Sequence, residues 1–248
     1  MCNTCGCGIT SANEPRTVTV LQNLLSENDH QATHNREHFN KYGVLCINLM
    51  SSPGSGKTAL LEATINALHP DLSMAVIEGD LETENDAERI RAKGVTAIQI
   101  TTGSACHLDA SMIHHALHQI ELANLDVLFI ENVGNLVCPA SFDLGQHLNV
   151  TLLSVTEGDD KPAKYPVMFR ASDLVLLSKM DLLPFLDDFN PNNVEKHLQA
   201  LAKDIPLLQI SAKKQLGLGD WFNWLHHEIQ QNQVREPSTH EVHRHAAT

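Results

Sequence analysis

Eight consecutive residues, Ser51-Ser52-Pro53-Gly54-Ser55-Gly56-Lys57-Thr58, follow an apolar run that reads as a strand and open a segment that reads as a helix. That context makes the segment a phosphate-binding loop. Gly54 and Gly56 let backbone N–H groups of the turn, Ser55 included, point inward around phosphate oxygens, and the helix N-terminus adds a favourable partial charge. Lys57 can reach the β- and γ-phosphates, and the Thr58 hydroxyl can ligate Mg²⁺. The usual spacing places glycine at position 51, where this chain has Ser51; Gly54, Gly56, Lys57 and Thr58 carry most of the geometry. Further on, Ser178-Lys179-Met180-Asp181 ends another apolar run and matches a guanine-reading N/T-K-x-D pattern with serine first. The Asp181 carboxylate can accept from both guanine N1–H and the exocyclic amine, a donor pair that adenine lacks. Lys179 would pack its stem along the base, and Ser211-Ala212-Lys213 would supply a backbone contact to it. Between these motifs, Glu131-Asn132-Val133-Gly134 takes the place of a D-x-x-G loop that senses γ-phosphate. There Glu131 would hold Mg²⁺ through water and the Gly134 amide would approach the phosphate. Asp80, which also ends a strand, is the first candidate for Mg²⁺ or water positioning, with Asp86 second. No arginine stands out as a finger, so slow intrinsic hydrolysis is expected.

A second chemistry belongs to the thiols. Cys2, Cys5 and Cys7 fall within six residues, flanked by Gly6 and Gly8. Three thiolates and a chain-terminal amine would give four soft or borderline donors, suited to square-planar Ni²⁺ or tetrahedral Zn²⁺. Cys106-His107 and Cys138 could lie on the γ-phosphate side, because Cys138 extends the Glu131–Gly134 loop. Taken alone, adjacent Cys and His are more often core residues than ligands. Cys46, inside the first strand, reads as a buried inert thiol. The chain holds fifteen histidines. His30, His34 and His38 recur every four residues, and His114, His115 and His118 crowd behind Cys106-His107; the expectation for each is a solvated surface position.

These residues need a scaffold that brings strand ends together. Expected strands are Val44–Met50, Met74–Glu78, Val95–Ile100, Val127–Glu131, Thr151–Val155, Leu174–Ser178 and Leu207–Ile210. Expected helices are Val18–Lys41, with Val18, Leu21, Leu24 and Leu25 as its apolar stripe, then Thr58–Leu68, Glu84–Lys93, Ala110–Leu122, Asn193–Lys203 and Trp221–Gln231. Continuous apolar strands alternating with helices imply an α/β fold: a P-loop NTPase with a mostly parallel sheet of about seven strands covered by helices on both faces. The expected organisation is a flexible Cys-rich metal-binding tail and linker over 1–16 and a helical segment over 17–41. A nucleotide-binding domain over 42–232 and a disordered polar tail over 233–248 complete it. Thirty acidic residues against seventeen Lys and Arg, a formal charge of −13, exclude a nucleic-acid polyanion as main partner. No apolar run approaches the ~20 residues of a membrane span. The N-terminus has no basic or apolar leader region, so a cytoplasmic location is expected.

Together, SSPGSGKT, ENVGNLVCP, TTGSACHLDA and the terminal MCNTCGCG resemble the hydrogenase nickel-incorporation GTPases, the HypB family of SIMIBI-type P-loop metallochaperones. The resemblance spans nearly the whole chain. It implies a GTPase that helps insert nickel into the large subunit of nickel–iron hydrogenase, working with GTP and Mg²⁺ and with other nickel-insertion accessory proteins. It also implies a tight nickel site at Cys2, Cys5 and Cys7. A second site at Cys106, His107 and Cys138, for Zn²⁺ or Ni²⁺ at a GTP-promoted homodimer interface, is implied in the same way. A chaperone for another metalloenzyme, of urease or cobalamin type, is the alternative. The lack of a polyhistidine run weighs against nickel storage.

Overall fold

The computed structural model describes residues 16–80, 85–103, 105–201 and 204–235, with side chains described from Leu25 to Val234. Cys2, Cys5 and Cys7, and the tail histidines His240, His243 and His245, lie outside the described residues. In chain order the elements are α1 (Arg16–Tyr42), β1 (Leu45–Ser51), α2 (Lys57–Leu68), β2 (Met74–Asp80), α3 (Asn85–Arg91), β3 (Thr96–Thr101), α4 (Ala110–Leu117) and β4 (Val127–Glu131). There follow β5 (Leu148–Ser154), α5 (Lys161–Lys164), α6 (Pro166–Arg170), β6 (Leu174–Ser178), α7 (Pro191–Gln199), β7 (Leu207–Gln209) and α8 (Leu218–Arg235).

The seven strands form one sheet in the order β3-β2-β4-β1-β5-β6-β7, and every neighbouring pair is parallel. β1 is buried at all seven positions, as a central strand covered on both faces must be. Its side chains alternate. Leu45, Ile47 and Leu49 pack with Leu60, Leu61 and Ile65 of α2 and Trp221 and Leu225 of α8. Cys46 instead joins Phe39 of α1 and Ile113 of α4 on the opposite face. A third cluster, under β5 and β6, takes Met168 and Phe169 from α6 and Val194 and Leu198 from α7. Chain order reverses direction around β1, whose neighbours are β4 and β5, and a ligand crevice opens at the carboxyl ends of strands at such a point.

All seven expected strands form. Helix boundaries differ for identifiable reasons. α4 ends at Leu117, where His118 closes it and Leu122–Asn124 becomes a separate 3₁₀ turn. α7 begins at Pro191, because the Asn190 side chain caps it by accepting from the Asn192 amide. α5 and α6 were not expected; each is a single turn with proline at its start, too short to show periodicity. α8 runs to Arg235, past the expected boundary at 232. Among the described side chains of α1, Asn28, Ala32, Asn35 and Phe39 are the buried positions; Val18, Leu21 and Leu24 of the expected stripe lie outside the described side chains. Asn28 Oδ1 accepts from the Ala110 amide at 2.9 Å, and Asn35 Nδ2 donates to the carbonyls of Ala110 and Leu144 at 2.8 and 3.1 Å. Polar side chains therefore dock α1 onto the start of α4, a contact that an apolar stripe could not announce.

Candidate nucleotide and metal site

β1 ends in the phosphate-binding loop, which turns on Gly54 and Gly56 with φ of +74° and +100°. A Cβ at either glycine would meet open space, so the left-handed backbone and not crowding requires the residue type. α2 then starts at Lys57. The loop forms one wall of a cavity of about 380 Å³ whose lining includes Gly54, Gly56, Lys57, Thr58, Asp80 and Asp86. Glu78, Arg89, Glu131 and Gly134 line it too. Lys57 Nζ donates to Ser51 Oγ at 3.0 Å, so the serine replacing the first glycine holds the ammonium at the loop. Ser55 is buried, its hydroxyl donating to Glu157 Oε1 at 2.6 Å.

The parallel register sets Glu78 of β2 beside Glu131 of β4. Asp86, in the first turn of α3, completes a group of three carboxylates whose oxygens lie within 4.8 Å of one another. Thr58 Oγ1 is 2.9 Å from Glu131 Oε1 and 3.1 Å from Asp86 Oδ2. Arg89 fixes Asp86 with a 2.6 Å ion pair and is itself held by Glu62 at 2.6 Å. Burial pushes the Glu131 carboxyl up to about 7, Lys57 and Thr58 opposing the shift. Burial and the neighbouring Glu131 and Asp86 charges push Glu78 up to about 8. Oε2 of Glu78 and Oε2 of Glu131 are buried without a hydrogen-bond partner. Hard oxygen donors, excess negative charge and two unsatisfied oxygens suit a Mg²⁺ ion. Asp80 lines the same cavity, and the carboxylates within hydrogen-bond reach of Thr58 are those of Asp86 and Glu131. Glu78 and Arg89 were not anticipated. Glu78 becomes visible only once β2 is known to pair with β4.

The residues expected to read the base form a separate group, tied to the phosphate loop through Ser178. Ser178 Oγ donates to the Ser55 carbonyl at 2.7 Å, tying the end of β6 to the phosphate loop. Serine in the first position of the motif thus keeps a positioning bond. Lys179 adopts a left-handed backbone, φ 59°, and Asp181 Oδ1 accepts from Ser211 Oγ at 2.5 Å. Ser211 is buried, Ala212 half-buried and Lys213 exposed in the loop after β7. The two predicted guanine elements are therefore in direct contact.

Gly134 comes so close to the phosphate loop that a Cβ there would stand 2.7 Å from Pro53 Cα. Beyond it, Cys138 opens a 3₁₀ turn over Cys138–Ser141. Its Sγ lies 3.0 Å from Cys106 Sγ, too far for a disulfide and near enough to share an ion. His107 Nδ1 is 3.7 Å from Cys106 Sγ, and the three ligand atoms fall within 4.8 Å of one another. The His107 ring stacks on Phe142 at 3.8 Å, and burial lowers its pKa, leaving a neutral imidazole. Two asparagines join this trio to the phosphate-side loop. Asn132 Oδ1 accepts from the Leu108 amide at 3.2 Å, and Asn135 Nδ2 donates to the Cys106 carbonyl at 3.3 Å. Cys46 is buried, with its pKa raised, as expected of an inert core thiol.

Residues 45–209 match the model of the CobW/HypB/UreG, nucleotide-binding domain family. The chain belongs to the CobW/HypB/UreG family. It is 50% identical over 212 residues to the hydrogenase maturation factor HypB of Azotobacter vinelandii, covering 86% of this chain and 70% of that one. The hydrogenase/urease maturation factor HypB of Helicobacter hepaticus is 46% identical over 221 residues, 88% and 90% of the two chains. Among solved structures, that of HypB from Helicobacter pylori in complex with nickel superposes with a TM-score of 0.79 at 44% identity. That match covers 86% of this chain and 99% of that one. Within the CobW/HypB/UreG frame, the linking residues Asn132 and Asn135 escape a motif reading, because a D-x-x-G pattern marks only Glu131 and Gly134.

Proposed function

We propose that this protein is a GTP-hydrolysing nickel chaperone that assists nickel insertion into the large subunit of nickel–iron hydrogenase. The observation that carries the reading is one loop with two ends. Glu131 and Gly134 face the phosphate cavity, and Cys138 stands beside Cys106 and His107. Gly54, Ser55, Gly56, Lys57 and Thr58 would cradle the phosphates, with Lys57 stabilising charge on the transferred group. Thr58, Asp86 and Glu131 would hold Mg²⁺, which neutralises developing phosphate charge when bound. Asp80 would position water. Lys179, Asp181 and Ser211-Ala212-Lys213 would read guanine. Nickel is cargo, taken by Cys2, Cys5 and Cys7 and by Cys106, His107 and Cys138, where Zn²⁺ competes for the same donors. A GTP-promoted homodimer and other nickel-insertion accessory proteins complete the cycle, in the cytoplasm.

The test follows GTP and ATP turnover together with Ni²⁺ binding on one purified sample. Slow GTP turnover with bound nickel is expected, and Lys57→Ala should abolish turnover while leaving nickel bound. Equal competition by ATP and GTP would overturn the guanine assignment. The name of the Helicobacter hepaticus relative supports a second reading, in which urease also receives the metal. Purified apo-urease activated as well as apo-hydrogenase by the nickel-loaded protein would favour it.

A further inference from the structure

α1 and α4 pack side by side, and their meeting edge carries histidines from both. His34 and His38 stand one turn apart on α1, where i and i+4 side chains are neighbours. His114 reaches them from α4. Ring centroids are 4.6 Å apart for His34–His38, 5.0 Å for His34–His114 and 6.1 Å for His38–His114. One ring nitrogen from each lies within 4.8 Å of the others. Two nitrogens bound to one ion at ~2.1 Å stand ~3–3.4 Å apart, so modest ring rotations close the set. His118, at the end of α4, lies a further 4.8 Å from His114 between ring centroids.

Simple ring packing leaves one fact unexplained. His114 Nδ1 is buried and has no hydrogen-bond partner. A buried imidazole nitrogen without a partner is costly, and its lone pair is a ready ligand. Gln31 Nε2 contacts His34 Nδ1 at 3.4 Å, which leaves the other nitrogen of that ring available. Burial and the surrounding His34, His38 and His118 rings lower the pKa of His114; burial, His34, Lys41 and His118 lower that of His38, against Glu37. Both shifts hold His38 and His114 towards the neutral, metal-ligating form.

We infer that His34, His38 and His114 form a third metal site, an all-imidazole one, for a borderline divalent ion of the Ni²⁺ and Zn²⁺ class. Three nitrogens without thiolate make it a weaker and faster-exchanging station than the cysteine sites. Its position gives it a use. α1 leads directly from the segment carrying Cys2, Cys5 and Cys7, and α4 begins three residues after His107. An ion there would bridge α1 and α4, the helices that follow the two cysteine groups in sequence. The inference does not depend on which nucleotide is bound.

The test uses the full chain with Cys2, Cys5, Cys7, Cys106 and Cys138 changed to Ser and His240, His243 and His245 changed to Gln. Equilibrium dialysis against Ni²⁺, and separately Zn²⁺, should find one ion per chain. His34→Ala, at an exposed position that leaves the core intact, should weaken it at least tenfold, and so should His114→Gln. In the otherwise wild-type chain, His34→Ala should lower total bound ion by one. No stoichiometric ion in the substituted chain, or one held undiminished after His34→Ala and His114→Gln, overturns the site.

Discussion

A threonine hydroxyl has one proton, yet Thr58 Oγ1 stands within hydrogen-bond distance of both Glu131 and Asp86. It can donate to only one, so the second contact needs a proton on a carboxyl or a cation between the groups. Glu131 at about 7 and Glu78 at about 8 supply the proton when no cation is present. Both carboxyls titrate higher in the folded protein than at their ordinary 4.5, so the folded state holds protons that the unfolded chain releases. The contribution of these two carboxyls to the stability of the metal-free protein is therefore fully present below about pH 4.5 and is lost as pH rises towards about 8. Melts across that window should show the slope, and Glu78→Gln, neutral and similar in shape, should flatten it. Mg²⁺ must displace the same protons, so its affinity should rise with pH over this range; an affinity flat in pH would remove the carboxylates from the ion. Asp181 offers a cleaner substitution. Asn can still accept from Ser211 through Oδ1, so Asp181→Asn keeps the loop contact while turning an acceptor into a donor. GTP should weaken by ~10²-fold or more, and xanthosine triphosphate, with a carbonyl in place of the amine, should gain, as competition titrations would read directly.

Strand ends were legible in the sequence because their chemistry is written in consecutive residues: SSPGSGKT, SKMD and ENVG each close an apolar run. What the elements do to one another was not. Glu78 joins the acidic group only because β4 inserts between β1 and β2, and sheet order leaves no mark on local periodicity. Asn28 and Asn35 dock α1 through polar bonds that no apolar stripe announces, and His34, His38 and His114 come together only because α1 and α4, distant in sequence, pack side by side. Asn132 and Asn135 belong to the same class, being polar links between loops. They tie the β4 loop to the segment holding Cys106, so that a shift of Gly134 against Pro53 would reach the Leu108 amide and the Cys106 carbonyl. Nickel affinity at Cys106, His107 and Cys138 should therefore differ between GDP and a non-hydrolysable GTP analogue by ~5–150-fold, the range of ordinary coupled sites. The measurement needs protein lacking the terminal cysteines. Asn135→Ala, at the surface, should shrink that ratio with little change in nucleotide affinity. Equal affinities in both states of the wild type would leave the loop without a transfer role.

At the scale of the whole molecule, the described core closes without Cys2, Cys5 and Cys7. Replacing all three should remove one tightly held nickel and its thiolate charge-transfer absorption without lowering the melting temperature. Full nickel stoichiometry in that variant would sink the terminal site. The second site raises a different question, since the described residues of one chain gather three donors there and Cys106 is exposed. An ion preferring four or more ligands completes its shell from solvent or from a second copy, and a twofold axis through the trio would pool two sets of thiolates. Val137, next to Cys138, is 58% exposed, an apolar side chain placed at the rim such an interface would cover. Because Cys138 follows the phosphate-side loop, on the proposed reading a nucleotide that resets this loop would also set whether two copies can meet. A GTP analogue with Ni²⁺ should therefore raise the dimer fraction in sedimentation velocity above that with GDP. Val137→Asp, which puts a charge at the covered rim without touching a ligand or the cavity, should return the protein to monomer at unchanged nucleotide affinity. A dimer fraction independent of nucleotide, metal and Val137 would mean that the second site is finished by solvent, and that the ion leaves from a single chain.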